Sequence, residues 1–466
     1  MLYFFQNFTM IGRFFLVIAF VSLTVLSVAA QGVAQRVESL LDDKLFVDSD
    51  ASVVVYDLDA DTLLFEHRAH KLCRPASVTK VVTATVALAR LGCDYTVDTN
   101  LWECKSASGG SNLYVQGSID PLFDEDDLMA MIASLPAGTK IDTLFADCSF
   151  MDSIYWGPGW SWDDTPWEFQ PYISPLMLCG GTVQVTAKPS VQGEPPIVEC
   201  APLSCYYTIE NEAVSHGASG EKLTILRDWL DGTNVIRIKG DCNASKSEKM
   251  NLLPSHAYFM TVLCERLNAA GLSVGTLSYA AVPQGALLLH VTRRPIAQIV
   301  GEALMESNNL CAEALSYHLG ALYGKRPVHQ EMGPKIMRGF LDYKISAPEK
   351  YHIADGSGLS LYTYLSADII LQTLKLAYFN KEIYNMMIAS LPLSGISGTM
   401  KNRTKGTAAY KKIYAKTGTV KGVCTLAGYA KAANGHTLAF VILNQGSMSA
   451  SAVRRWQDKV CDALCR

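Results

Sequence analysis

The stretch Pro75-Ala76-Ser77-Val78-Thr79-Lys80 decides how this chain is read. It sets a serine and a lysine three residues apart at the head of an apolar run, Val81-Val82-Thr83-Ala84. Residues i and i+3 share a helix face, so Lys80 can reach the hydroxyl of Ser77 from one turn away. A serine hydroxyl is a poor nucleophile until a base takes its proton. A lysine is that base only when burial or a second cation makes it neutral. Alone, the pattern is weak: Ser219-Gly220-Glu221-Lys222 repeats it, and an N-cap serine followed by a surface lysine explains such a match without chemistry.

Two later stretches change its meaning. Ser307-Asn308-Asn309 sits in the helical run "MESNNLCAEAL", and Lys416-Thr417-Gly418 opens "AKTGTVKGV" just before the apolar run at Cys424. The chain has no other S-x-N and no other K-T-G. S-x-x-K, S-D-N and K-T-G form the motif set of class A β-lactamases and penicillin-binding proteins. All three occur here in order, with Asn308 in place of the middle aspartate.

Acyl transfer gives each residue a task. Ser77 is the nucleophile and Lys80 its base; Ser307 can relay a proton to the leaving amine, and Asn309 can hold a substrate amide. Lys416 adds a positive charge that keeps Lys80 neutral and, with Thr417, attracts a carboxylate. Gly418 has no side chain, so a substrate backbone can lie against its strand as an added strand. The backbone N–H groups of Ser77 and Thr419 are the natural oxyanion hole.

Taken together these stretches resemble the class C low-molecular-mass penicillin-binding proteins, the D-alanyl-D-alanine carboxypeptidase/endopeptidases of the penicillin-binding protein 4 type. The resemblance extends through "NLYVQGSIDPLF", "GPGWSWDD", "ADGSGLS", "LPLSGISGTMKNR" and "KTGTVKGVCTLAGYA". It implies an α/β (α+β) fold: a β-lactamase/transpeptidase-like domain with helices on an antiparallel sheet, over 31–98 and 295–466, and a mostly β, subdivided inserted module over 99–294. The long interval between Ser77 and Ser307 suits such an insertion. It also implies peptidoglycan stem peptides as substrate, β-lactam antibiotics as covalent inhibitors, and a contact of Asp147, in "FADCSF", with the amino end of the stem peptide. Two departures stand out. Leu361 and Thr363 replace an arginine and an asparagine that the family commonly carries after "DGSGLS", and Cys179 interrupts "SPLMLCGGTV".

The rest of the chain fits that picture. At 466 residues it exceeds one hydrophobic core. Charged residues make up 18% with a net charge of −4, and no basic run occurs, so nucleic acid is not an expected partner. After Arg13, an apolar run from Phe14 through Leu26 ends in Ser27-Val28-Ala29-Ala30, which reads as a secretory signal over 1–30 and places the protein in the periplasm or cell envelope. A retained membrane anchor is the other reading of that segment, and peripheral membrane contact stays open. Thirteen cysteines in an oxidising compartment could pair in part, and their odd number leaves at least one free. No Cys/His group has zinc-like spacing, so no metal or cofactor is expected.

Strands are read near 52–56 and 63–65, over 182–187, 234–239 and 285–291, and in a hairpin of Cys424–Ala430 with His436–Leu443 turning at Ala433-Asn434-Gly435. Helices are read after Ser77, near 254–270, from Pro295 to Leu319, and at the end of the chain. There Val453, Trp456, Val460 and Leu464 form one face that would pack on a sheet. The aromatic cluster Tyr155-Trp156-Gly157-Pro158-Gly159-Trp160-Ser161-Trp162, with Trp167, could pack a loop or stack on glycan or peptide. Two other functions remain open. A serine β-lactamase would need a deacylating glutamate in an E-x-x-L-N loop, which does not follow Asn309; a non-catalytic wall-binding scaffold would not need Ser77, Lys80, Ser307, Asn309 and Lys416 together.

Overall fold

Val423–Lys431 and Thr437–Gln445 are buried almost without interruption, which suits only strands covered on both faces. They lie inside a five-stranded antiparallel sheet ordered Ile413–Val420, Val423–Lys431, Thr437–Gln445, Asp50–Asp57, Thr62–His67. The hairpin turn falls where expected, with Gly435 at φ +87°. In the computed structural model, residues 32–345 and 350–466 are described. The secretory segment read over 1–30 lies outside them.

Contacts divide the chain into two compact units. One is the chain up to Val78 with Leu365–Phe379 and Leu391–Arg466; the other is Thr79–Tyr364 with Asn380–Ser390. In the first unit, the helix Ala450–Cys465 lays Trp456, Val460 and Leu464 on Leu426, Phe440 and Ile442 of the sheet. On the opposite face Tyr429 donates to the Leu374 carbonyl of the helix Ala367–Tyr378 at 2.9 Å. The final helix packs on the sheet as its apolar stripe predicts. Ile413–Val420 is an edge strand, and its outer side meets the chain at Leu393, which bridges Tyr414.

The second unit joins a helical layer to β structure. Thr79–Leu91, Ile296–Met305, Asn309–Gly320, Met332–Lys344 and Lys381–Ser390 pack on one another. Asn309–Gly320 is buried along its whole length, so its polar residues need partners inside the protein. His318 shows the result: Nδ1 takes the Tyr95 hydroxyl at 2.8 Å and Nε2 donates to the Ser118 carbonyl at 2.7 Å. Burial then lowers its pKa to about 4. A five-stranded mixed sheet is ordered Val274–Tyr279, Ile141–Asp147, Ser111–Gln116, Thr96–Lys105, Leu287–Pro295, and three smaller sheets accompany it.

Two elements differ from the sequence reading. The helix expected from Pro295 to Leu319 is two helices, because Asn308 takes extended dihedrals and caps the second one, its Oδ1 accepting from Cys311 N at 3.0 Å. Ser307, in the break, sits at φ +63°. A short helix, Glu125–Ala133, begins at a reciprocal capping box of Asp124 and Asp127 that periodicity in so short a segment does not reveal. All thirteen cysteines are free thiols. Among the described residues no helix is long and apolar enough to cross a membrane.

Candidate active site

In the first unit, Ala76–Val78 forms a 3-10 turn that runs straight into the helix Thr79–Leu91. Ala76 lies at φ +47°, a left-handed conformation that costs an alanine about 1 kcal/mol and turns the chain sharply before the serine. From Pro75 to Leu88, Ser77 is the residue that keeps partial exposure while its neighbours are buried. Against this turn runs the strand Ile413–Val420. A Cβ on Gly418 would stand 2.2 Å from Thr425 Oγ1 and 3.0 Å from both Ser77 N and the Pro75 carbonyl oxygen, so only glycine fits. Thr425 Oγ1 itself donates to Pro75 O at 2.7 Å, fixing the strand pair to the turn. Lys416 is fully buried and donates to the Thr417 carbonyl at 2.7 Å; Thr417 Oγ1 donates to Thr399 Oγ1 at 2.9 Å. Thr419 is exposed, and its hydroxyl accepts from Arg454 Nη2 at 3.3 Å. No sequence motif pointed to Arg454, and Thr399, although inside "LPLSGISGTMKNR", was given no role.

The second unit holds the other members. Lys80 is fully buried, its Nζ donating to Asn309 Oδ1 at 2.6 Å and to the Ser357 carbonyl at 2.9 Å. Burial lowers its pKa from 10.5 to about 8, a fall that the charges of Asp355 and Glu313 hold in check. Asn309 also donates from Nδ2 to the Phe169 carbonyl at 2.6 Å, so both ends of its amide are engaged. Ser307 is half-buried one residue ahead of the cap Asn308.

Beneath Lys80 lies a pair of carboxylates that the motifs did not single out. Glu313 accepts from Gly356 N and Ser357 N at 3.2 and 2.8 Å, and its pKa is raised by burial and by the charge of Asp355. Asp355 accepts from Gly358 N, Ser360 N and Trp160 Nε1 at 2.9, 2.7 and 3.0 Å. These bonds shape the loop that offers the Ser357 carbonyl to Lys80. Glu313 is recognisable afterwards as the residue one turn beyond Asn309. Its partners come from 43 and 44 positions away, which no local pattern carries.

Asp147 is buried, its Oδ2 accepting from Gln116 Nε2 at 2.9 Å and Val282 N at 3.1 Å, and its Oδ1 from Ser149 N at 2.9 Å. In this structure it therefore holds loops together. Ser219, the twin of Ser77, lies exposed outside any helix, its hydroxyl donating to Asp241 Oδ1 at 2.9 Å. Among the described residues no cluster of three His, Cys, Asp or Glu side chains could hold a metal ion.

The model of the D-Ala-D-Ala carboxypeptidase 3 (S13) family matches residues 33–465. The chain belongs to that family. Among its relatives, the D-alanyl-D-alanine carboxypeptidase of Actinomadura sp. (strain R39) is 29% identical over 449 residues, covering 88% of this chain and 80% of that one. The penicillin-sensitive carboxypeptidase A of Dictyostelium discoideum is 25% identical, covering 76% and 73%. The crystal structure of penicillin binding protein 4 from Haemophilus influenzae superposes with a TM-score of 0.78 at 22% identity, over 91% of this chain and 98% of that one, and confirms the fold. The enzyme class expected from the motifs, a D-Ala-D-Ala carboxypeptidase, is the one the S13 family carries. The structure also accounts for one of the two departures from the family pattern. Thr363 is fully buried, accepts from Ala354 N at 3.1 Å and donates to Asp355 Oδ1 at 3.3 Å, so it serves the loop.

Proposed function

We propose that this enzyme cleaves the terminal D-alanine, or the cross-link, of peptidoglycan stem peptides through an acyl-enzyme on Ser77. The burial of Lys80 carries the reading: a lysine with a pKa near 8 has a substantial neutral fraction at mildly alkaline pH and can accept the Ser77 proton from one helical turn away. Ser77 Oγ adds to the carbonyl carbon of the scissile bond. The oxyanion takes hydrogen bonds from the N–H groups of Ser77 and Thr419. As the intermediate collapses, the C–N bond breaks and the leaving amine receives the proton by way of Ser307. Water then hydrolyses the ester. Lys416 and Thr417 receive the substrate carboxylate, Gly418 leaves room for its backbone, and Asn309 orients its amide. A contact of Asp147 with the amino end of the stem peptide belongs to the same reading, on the strength of the resemblance.

The inserted module, 99–294, is part of this proposal. Its first and last strands pair antiparallel from Thr96/Pro295 to Glu103/Leu287, as expected where a module enters and leaves a parent domain. The segment read as a secretory signal supports a place outside the cytoplasm, in the periplasm or envelope. The penicillin-sensitive relative supports covalent capture of β-lactams.

Incubation with a fluorescent penicillin, followed by assay of D-alanine release from a pentapeptide, tests the proposal. A stable adduct and released D-alanine are expected, both falling about 10⁴-fold or more in Ser77→Ala. Rapid turnover of the label without D-alanine release would make the protein a β-lactamase instead.

A further inference from the structure

The aromatic cluster at 155–162 separates into two kinds of residue. Most of it packs: Tyr155 stacks on Tyr172 with centroids 4.5 Å apart, Trp160 donates to Asp355, and Trp167 is half-buried against the core of its unit. Trp162 does not. It is 71% exposed, and its ring lies 5.2 Å from that of Trp229, a half-buried residue from a separate loop, with Leu230 beside it 73% exposed. A tryptophan gains more from burial than almost any other side chain, so an exposed tryptophan set beside a half-buried one from another segment marks an interaction surface.

A buried scaffold holds the two rings. Arg227, fully buried, donates to the Thr233 carbonyl at 2.7 Å, fixing the turn that carries Trp229, and to Asn251 Oδ1 at 2.9 Å. Asn251, also fully buried, donates to the Gln170 carbonyl at 2.7 Å. Gln170 Nε2 in turn donates to the carbonyl of Ser161, next to Trp162, at 2.6 Å. The same segment reaches the candidate active site, because Phe169 offers its carbonyl to Asn309 Nδ2 at 2.6 Å. Burying an arginine in this way is costly, and what it secures is the relative placement of two indoles.

We infer that Trp162 and Trp229 form a platform for a saturated, N-acetylated sugar ring of the glycan strand that carries the stem peptide. This rests on the peptidoglycan reading above. The ring planes meet at 43°, which cannot sandwich a flat ligand but suits a chair whose C–H face lies on one indole and whose edge meets the other. Asp163 and Asp164 follow Trp162, and Asp231 lies two residues beyond Trp229. Their carboxylates accept hydrogen bonds from neutral hydroxyls and repel an anion.

The test compares cleavage of a free pentapeptide with that of the same peptide on its disaccharide, in wild type, Trp162→Ala and Trp229→Ala. Both variants should lose about tenfold in kcat/KM on the disaccharide peptide and keep wild-type activity on the free peptide and wild-type labelling by penicillin. Equal loss on both substrates, or no loss on either, overturns the inference. So does a loss that depends on a free amine in the peptide and fades with salt, which would make the occupant a cation. If wild type neither releases D-alanine nor takes penicillin, the function proposed above fails. The platform is then read by tryptophan fluorescence during titration with N-acetylglucosamine tetramer: quenching in wild type that disappears in Trp162→Ala supports it, and its absence overturns it.

Discussion

Lys80 shows how a single side chain joins stability to chemistry. Its pKa in the fold, about 8, lies below its ordinary 10.5. The neutral, base-competent form therefore grows as pH rises through about 8, and acylation by a fluorescent penicillin should climb with an inflection near that pH. Lys80→Arg, which cannot become neutral, should lose the ascending limb altogether. Between about 8 and 10.5 the unfolded chain binds more protons than the folded one, so Lys80 makes stability rise with pH across that window. Urea midpoints of wild type measured against Lys80→Met should show this slope in wild type alone. Asp147 is a contrasting case, since its carboxylate serves three N–H donors. Asp147→Asn should cost about 1–3 kcal/mol in urea unfolding, because an amide nitrogen replaces one acceptor oxygen. Sequence marked Ser77, Lys80, Ser307, Asn309 and Lys416 because motif residues are recognisable by type and order. It left Glu313 and Asp355 unmarked, because an acid becomes an organising residue only through the backbone N–H groups that fold onto it.

Among the elements, the strand Ile413–Val420 carries the sharpest constraint. With Thr425 Oγ1 at 2.2 Å from the place of its Cβ, Gly418→Ala must push the strand away from the Ser77 turn. Penicillin acylation should fall by about 10²–10³, the usual effect of losing one oxyanion donor, while the sheet still folds. Wild-type acylation in Gly418→Ala would show that the strand does not help to form the oxyanion hole. The sheet and its final helix were legible because strands buried on both faces, a hairpin glycine and a one-sided apolar stripe are local patterns. The break between Met305 and Asn309 was not, since apolar spacing continues across it. What interrupts the helix is an asparagine cap together with a left-handed serine.

Across the whole molecule, the thirteen cysteines stand unpaired. Alkylation in denaturant without reductant should therefore modify thirteen thiols, whereas alkylation of the folded protein should begin at the exposed Cys205 and spare buried ones such as Cys311 and Cys461. Fewer than thirteen modified thiols would mean that disulfides form. Sequence by itself determined the family, the reaction class and the order of the chemical groups, because each motif fits within one turn or strand and its chemistry is carried by residue type. Only tertiary structure decided that Lys80 is buried deeply enough to lower its pKa, that Asn309 is bound at both ends, and that Trp162 meets Trp229. Those properties arise from desolvation and from contacts between segments far apart in the chain, and no local window of sequence holds both sides of such a contact.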